Sequence, residues 1–124
     1  MKLPNYEKAF VEERKITQYL LDFESADGQH KAAFFVRFGF KISNWRLLAE
    51  ALVEHGHTND LASQRDAGEF GAHYTVEGPL VSPAGRSPNV RTVWEITPSS
   101  KAPRLITAYP LQPIQRLIRF SEKG

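Results

Sequence analysis

The chain of 124 residues has no cysteine, and this absence excludes disulfide bonds, thiol catalysis and zinc sites with cysteine ligands. It also lacks any run of about 18 apolar residues, the length that a membrane-spanning helix requires. The first ten residues, MKLPNYEKAF, lack the apolar core of a secretory signal. From these absences we expect a cytoplasmic protein that does not enter membranes.

Strong charge of one sign is also missing, because the formal net charge is only +2. Such mild basicity permits contact with nucleic acid but does not by itself indicate it. His55 and His57 stand close together, yet no acidic cluster accompanies them, so we interpret them as a solvated helix end. The sequence also lacks a glycine-rich phosphate loop. We therefore expect no metal site and no cofactor.

Aromatic residues, in contrast, are plentiful enough for a core: eight Phe, four Tyr and two Trp. The length suits a single domain over residues 1–124. Apolar residues recur at helical spacing in the first part of the chain. This helical half, about residues 1–56, is predicted to hold three helices, over 13–22, over about 30–38, and from a Ser43 cap to Gly56.

The second part of the chain changes to alternating apolar and polar residues, as strands do. Residues 57–71 have no clear period and are predicted to be a polar connector. The sheet half, residues 72–120, is predicted to contain three strands and a possible edge strand at 116–120, with Gly85 at positive φ in one turn. The fold class is therefore α+β, with two to three N-terminal helices packed on one face of an antiparallel sheet of three to four strands.

The strand alternation also assigns the two faces of the sheet. Val90, Trp94 and Ile96 share the face expected to lie under the helices, and Thr92 shares it as a lone hydroxyl. Thr107 and Tyr109 share one face of the last strand. If these faces coincide, three hydroxyls line one cleft beneath the helices, where they suit a phosphodiester. The plain alternative is that Thr and Tyr are there because they favour strands.

Basic side chains supply the other candidates. His30 and Lys31 begin the second helix, where unpaired N–H groups favour phosphate and an imidazole can transfer protons; the alternative is a boundary histidine with a satisfied hydrogen bond. Arginine offers a planar fork that matches phosphate oxygens. Arg86 lies on a turn, whereas Arg91 and Arg104 lie on strands and have the alternative of pairing with glutamates across the sheet.

These segments resemble known proteins. The pattern HKAAFFVRFGF, NWRLLAEAL, YTVEGPLVSPAGRSPNVRTVWEI and PRLITAYP, across roughly residues 3–111, closely resembles a bacterial domain family of unknown function. That family occurs in small proteins and at the ends of larger toxin-like proteins. The order of a helical histidine, basic strand residues and a Thr-x-Tyr-Pro strand also resembles the BECR ribonuclease toxins, which comprise the barnase, EndoU, colicin D and RelE-like enzymes.

The BECR resemblance implies metal-independent cleavage of RNA, with tRNA as a candidate substrate, by attack of the 2′-hydroxyl on the neighbouring phosphorus. It implies His30, Lys31, Thr107 and Tyr109 as catalytic residues, with Arg91 or Thr92 contributed by the middle strand; Arg86 and Arg104 join them as candidate phosphate-binding residues. A toxin of this kind needs an inhibitor, so we expect an antitoxin or immunity protein as partner, and the mild positive charge favours an acidic one that covers the cleft. The alternative is a non-catalytic interaction domain of the same fold that presents its sheet edge to a small antitoxin-like protein.

Overall fold

The computed structural model describes residues 1–66 and 68–111, and its first half is helical. Single 3-10 turns lie at Tyr6–Lys8, Ile42–Asn44 and Gly68–Phe70. The longer helical elements are α1 (Glu13–Lys15), which continues as a π-helical turn (Ile16–Leu20), α2 (Gln29–Arg37) and α3 (Trp45–Thr58). Among the described residues, none of these helices has the length and apolar character needed to cross a bilayer.

The second half forms an antiparallel sheet of four strands in the order in which they follow one another along the chain. The strands are β1 (Leu61–Asp66), β2 (Ala72–Pro79), β3 (Asn89–Ile96) and β4 (Arg104–Pro110). Short antiparallel connections of this kind need no crossover helix. Helices followed by an antiparallel sheet confirm the predicted α+β fold.

The core lies between the helices and one face of the sheet, which we call the inner face. The opposite face, which we call the outer face, carries mostly polar side chains. Val90 and Trp94 are fully buried on the inner face, as the strand alternation predicts, and Ile96 is half-buried at its end. The apolar side chains that form the core are Leu3, Ile16, Leu20, Leu21, Phe35, Phe40, Leu48, Leu52, Val76, Leu80, Val90, Trp94, Leu105 and Ala108.

A buried polar network joins α3 to the inner face. His55 is 2% exposed. Its Nε2 lies 2.9 Å from the carbonyl oxygen of Val90 and 3.1 Å from that of Gly78, so Nε2 carries the proton. Its Nδ1 then accepts from the Thr92 hydroxyl at 3.1 Å, and the indole N–H of Trp94 donates to the same hydroxyl oxygen at 2.8 Å. Every member is satisfied, which is what makes a buried polar network stable.

The structure corrects three sequence predictions in this region. The helix α3 runs through Gly56 to Thr58, and its N-cap is Asn44 rather than Ser43. His55 is buried, so the interpretation of a solvated helix end is wrong. Gly56 lies within the helix, at a point where an added Cβ would come within 3.1 Å of Trp94 Cζ2. Its role is close packing of α3 on the sheet, not helix termination.

The predicted connector over 57–71 is also wrong, because it contains the strand β1. Five of the six β1 residues are exposed, which is why the strand shows no apolar alternation in the sequence. The turn prediction is confirmed at Gly85, which has a φ of 82°. The edge strand predicted at 116–120 lies outside the described residues.

One bulge in β4 decides which side chains face the core. Val93 pairs with Thr107, but the next residue, Trp94, pairs with Leu105, so Ile106 is an extra residue. Beyond a bulge the alternation of faces is reversed. Leu105 and Ala108 are therefore both buried although they stand three residues apart.

We predict that His55 makes the fold sensitive to acid. Desolvation by burial lowers the pKa of His55 below its ordinary value of 6.5, although the hydrogen bonds to Gly78 and Val90 oppose this effect. The unfolded chain therefore binds a proton more readily than the folded one. The stabilisation is complete above pH 6.5, and as the pH falls below that value the free energy of unfolding should decrease by up to about 1.4 kcal/mol per pH unit.

Urea unfolding between about pH 5 and about pH 8 measures this slope. His55→Gln should cost about 1–3 kcal/mol at the alkaline end, because it leaves buried partners unpaired, and should flatten the acid limb. The matched control is His30→Gln, which changes an exposed histidine and should leave the profile unaltered. An unchanged acid slope in His55→Gln would contradict the assignment.

Candidate functional site

The outer face of the sheet carries three cross-strand rows of side chains, and the strand register defines them. The first row is His73, Glu95 and Arg104, the second is Thr75, Val93 and Thr107, and the third is Glu77, Arg91 and Tyr109. All nine residues are partly exposed. Neighbouring rows lie about 7 Å apart along the strands, because each residue advances the chain by about 3.3 Å.

The third row is an ion pair extended by a phenol. The Arg91 guanidinium contacts the Glu77 carboxylate through two nitrogens, Nε and Nη2. Its Nη1 donates to the Tyr109 hydroxyl oxygen at 3.1 Å. The hydrogen bond to Tyr109 raises the pKa of Arg91 most, the one to Glu77 raises it further, and desolvation opposes both. Arg91 is thus a permanently charged group whose fork is held in one orientation.

The first row is a chain of alternating charges. Glu95 accepts a hydrogen bond from Arg104 Nη2 at 2.7 Å and one from His73 Nε2 at 3.0 Å. Arg104 also reaches Glu12 at 3.3 Å. The hydrogen bond from Arg104, followed by that from His73, lowers the pKa of the Glu95 carboxyl below its ordinary range. These contacts confirm the alternative interpretation, in which Arg91 and Arg104 pair with glutamates across the sheet.

At the β4 edge the middle row meets the helical layer in an open cleft of about 520 Å³, lined by Lys15, Tyr19, Asp27, Lys31, Ile106 and Thr107. We call it the lysine cleft. The Tyr19 and Thr107 hydroxyl oxygens are 2.9 Å apart and share a hydrogen bond. The ammonium groups of Lys15 and Lys31 lie 5.3 and 5.4 Å from the centre of the Tyr19 ring, within cation–π distance.

Lysines dominate the charge of this cleft. Asp27 is the one acidic residue in its lining, and Lys31 Nζ donates to the Asp27 backbone carbonyl oxygen at 3.4 Å rather than to its carboxylate. Among the described residues, neither Lys15 nor Lys31 forms an ion pair within 4.0 Å of a carboxylate. The cleft is therefore a cationic surface open to an anion.

The structure brings together five of the eight site residues that the sequence predicts. Lys31 and Thr107 line the same cleft, and Tyr109 with Arg91 lies one row away from Thr107. Arg104 lies on the outer face, one row from Thr107 in the other direction. These five form one continuous polar surface.

Three other predicted residues lie elsewhere. Thr92 is fully buried on the inner face, so the expectation that it would line one cleft with Thr107 and Tyr109 is wrong; the β4 bulge turns those two outward. Arg86 stacks on Phe38 at the C-terminal end of α2, with its guanidinium carbon 4.7 Å from the ring centre. His30 is exposed and does not line the lysine cleft, since successive helical residues point about 100° apart.

Sequence reasoning missed Tyr19, Lys15 and His73. Tyr19 stands at core spacing in the first helix, and nothing in the sequence indicates that its hydroxyl reaches Thr107. His73 shares the outer face of β2 with Thr75 and Glu77, but its pairing with Glu95 depends on a strand register that local pattern does not define. Within the described part of the chain, no group of His, Asp and Glu residues is arranged to hold a metal ion.

Comparison with known proteins identifies the family. Residues 2–112 match the model of a domain of unknown function, DUF6883. The chain belongs to this family. Among curated proteins, none matches the sequence.

The fold has a solved counterpart. A chain in a contact-dependent growth inhibition toxin–immunity protein complex from Klebsiella pneumoniae 342 superposes with a TM-score of 0.65 at 17% sequence identity. The match covers 86% of this DUF6883 chain and 97% of the other chain. At this level of identity the likeness shows a shared fold.

We predict that the hydroxyl pair couples the helical layer to β4. Tyr19→Phe and Thr107→Val should each lower the free energy of unfolding by about 1 kcal/mol, because each removes one hydrogen-bonding group at nearly constant shape. The double variant should lose less than the sum, by about 0.5–1.5 kcal/mol. Urea denaturation of the four proteins measures this coupling, and strictly additive losses would contradict it.

Proposed function

We propose that this DUF6883 protein is a toxin-type, metal-independent endoribonuclease that binds RNA, with tRNA as a candidate substrate, across the lysine cleft and the outer face. One observation carries the proposal. Thr107 lies in the lysine cleft beside Lys31 and also lies one row from Arg91 and Tyr109. A cationic cleft thus continues into a row of groups suited to phosphoryl transfer chemistry.

The lysine cleft is suited to holding the RNA backbone. Lys15 and Lys31 provide two ammonium charges near one tyrosine ring, and lysine binds phosphate as a point charge without demanding one geometry. The Tyr19 and Thr107 hydroxyls add short-range hydrogen bonds that orient a phosphate. Binding of this kind does not depend on base sequence.

The Arg91 and Tyr109 row is suited to the reacting phosphate. During cleavage the 2′-oxygen attacks phosphorus, and negative charge builds on the phosphoryl oxygens. The Arg91 guanidinium is held in place by Glu77 and Tyr109, and the N–H groups that these contacts leave over on its two terminal nitrogens are the donors that we assign to this charge. Because the nucleophile is the 2′-hydroxyl, DNA is not a substrate.

The same cleft suggests the partner. A cell that makes a toxin-type nuclease needs an inhibitor, and the resemblance to a chain of a toxin–immunity protein complex supports such a partner here. The unneutralised lysines favour an acidic immunity protein that covers the cleft, since opposite potentials steer association.

The second candidate function is that of a non-catalytic binding module with the same fold. β1 is an edge strand in the described sheet, and its side chains are mostly exposed. Edge strands offer unpaired backbone groups to another chain, which suits a non-catalytic module that binds a small antitoxin-like protein. A folded domain that binds such a protein and leaves RNA intact would favour this function.

The ribonuclease proposal predicts the behaviour of one lysine. With tRNA in the presence of EDTA, the wild-type protein should produce discrete fragments ending in cyclic phosphate. Lys31→Ala should lower kcat/KM at least about tenfold, because a phosphate contact worth more than about 1.4 kcal/mol is lost. Gel analysis of end-labelled tRNA measures the rates.

Lys41→Ala is the matched control. It removes the same charge from an exposed residue outside the cleft and should change kcat/KM less than about twofold, since a distant charge at ordinary salt is screened. Equal losses in the two variants would show only a general effect of net charge. Intact tRNA and intact total RNA after incubation with folded wild-type protein would contradict the proposed activity.

A further inference from the structure

The proposed function gives no role to the first row of the outer face, which contains His73. His73 lies on β2, and its Cα pairs with that of Glu95 on β3. Its side chain is 27% exposed, whereas that of Glu95 is 16% exposed. A partly accessible imidazole held by a more deeply placed carboxylate is an arrangement that supports proton transfer.

The hydrogen bonds define the state of this imidazole. Glu95 is kept ionised by Arg104, which donates to Oε1, and the other carboxylate oxygen, Oε2, lies 3.0 Å from His73 Nε2. A carboxylate only accepts, so Nε2 carries the proton and Nδ1 keeps its lone pair. Among the described residues, Nδ1 makes no hydrogen bond, and the atom is not fully buried. It is therefore accessible as a base.

The register positions His73 relative to the other reactive groups. Val93 lies at the centre of the outer face, between Thr75 and Thr107. From its Cα, the Cα atoms of His73 and Tyr109 are each about 8 Å away, one row and one strand removed in opposite directions. A phosphodiester lying between them would have His73 on one side and Tyr109 with Arg91 on the other, so a base and an acid are available from opposite sides of the phosphorus.

We propose that His73, and not His30, is the general base of the ribonuclease reaction, with Glu95 and Arg104 as positioning residues; this inference rests on the proposed function. Nδ1 takes the proton of the 2′-hydroxyl as the O2′–P bond forms. The P–O5′ bond breaks, and the Tyr109 hydroxyl gives its proton to O5′. The products are a 2′,3′-cyclic phosphate and a 5′-hydroxyl, and water returns the proton from the imidazolium to the phenolate.

Charged side chains from three other strands and from Glu12 lie around His73. Arg65 on β1 pairs with it in register, Glu95 faces it from β3, and Arg104 on β4 and Glu12 extend the charge chain. An imidazole base must be neutral to act, so kcat/KM should fall on the acid side of the pH profile.

The test compares histidine variants in the tRNA assay. His73→Ala should lose at least about 10²-fold in kcat/KM, should lose the acid limb, and should regain part of its rate when imidazole is added to the buffer. A merely structural role would not produce that rescue. Thermal melts of each variant check that it is folded, and His73→Gln serves as a second variant if His73→Ala melts early.

Two results would overturn the inference. Wild-type protein that cleaves tRNA while both His73 variants keep their activity within about threefold and retain the acid limb would exclude His73 as the base but leave the ribonuclease proposal intact; loss on His30→Gln in the same assay would return the role to the helix. Wild-type protein that cleaves no RNA would overturn both proposals. Rescue by imidazole with loss of the acid limb supports His73.

Discussion

The bulge at Ile106 is the constraint on which the candidate site depends. Strict alternation from the buried Leu105 would turn Thr107 and Tyr109 toward the helices. One extra residue in β4 reverses the alternation, so that Ala108 fills the core and the two hydroxyls reach the outer face. The cleft with Lys31 and the row with Arg91 both depend on this reversal.

The buried network around His55 explains why the inner face tolerates a hydroxyl. Thr92 accepts from Trp94 and donates to His55, whose other nitrogen satisfies two carbonyl groups. A buried polar group without partners would cost about 1–3 kcal/mol, and here each group has one. The polar groups of the inner face thus serve the fold, whereas those of the outer face are accessible to a ligand.

Much of the fold follows from local pattern, and the exceptions have physical causes. The period-2 alternation of β3 assigns its faces correctly, because one of them is buried. β1 escaped prediction because its side chains are mostly exposed, so burial imposes no alternation. Gly56 was misread as a helix end because the same residue type serves close packing, here against Trp94. Local pattern carries no sign of a contact between distant segments.

For the candidate site, the sequence indicates single residues but not how they are arranged in space. The sequence indicated Lys31, Thr107, Tyr109 and Arg91, which come from three elements, α2, β4 and β3. Which of them meet was decided by the bulge and by strand register, and neither is visible in the pattern of one strand. His30 drew attention because a helix begins there, yet helical geometry turns it away from Lys31. His73 was not singled out, because a histidine on a polar strand face becomes a candidate only when its contact with Glu95 is known.

The distribution of charge on the outer face argues for short-range chemistry there and long-range attraction elsewhere. Arg91 and Arg104 are each paired with a glutamate, and partly exposed ion pairs contribute only about 0–1 kcal/mol to stability. Such pairs explain little of the fold's stability, but they hold two guanidinium groups and one imidazole in defined orientations. Because these rows are nearly neutral, the unpaired positive charge near the sheet is that of Lys15 and Lys31. In the proposed function, these lysines would attract the RNA backbone at the β4 edge, and the oriented groups at the centre of the sheet would act on it.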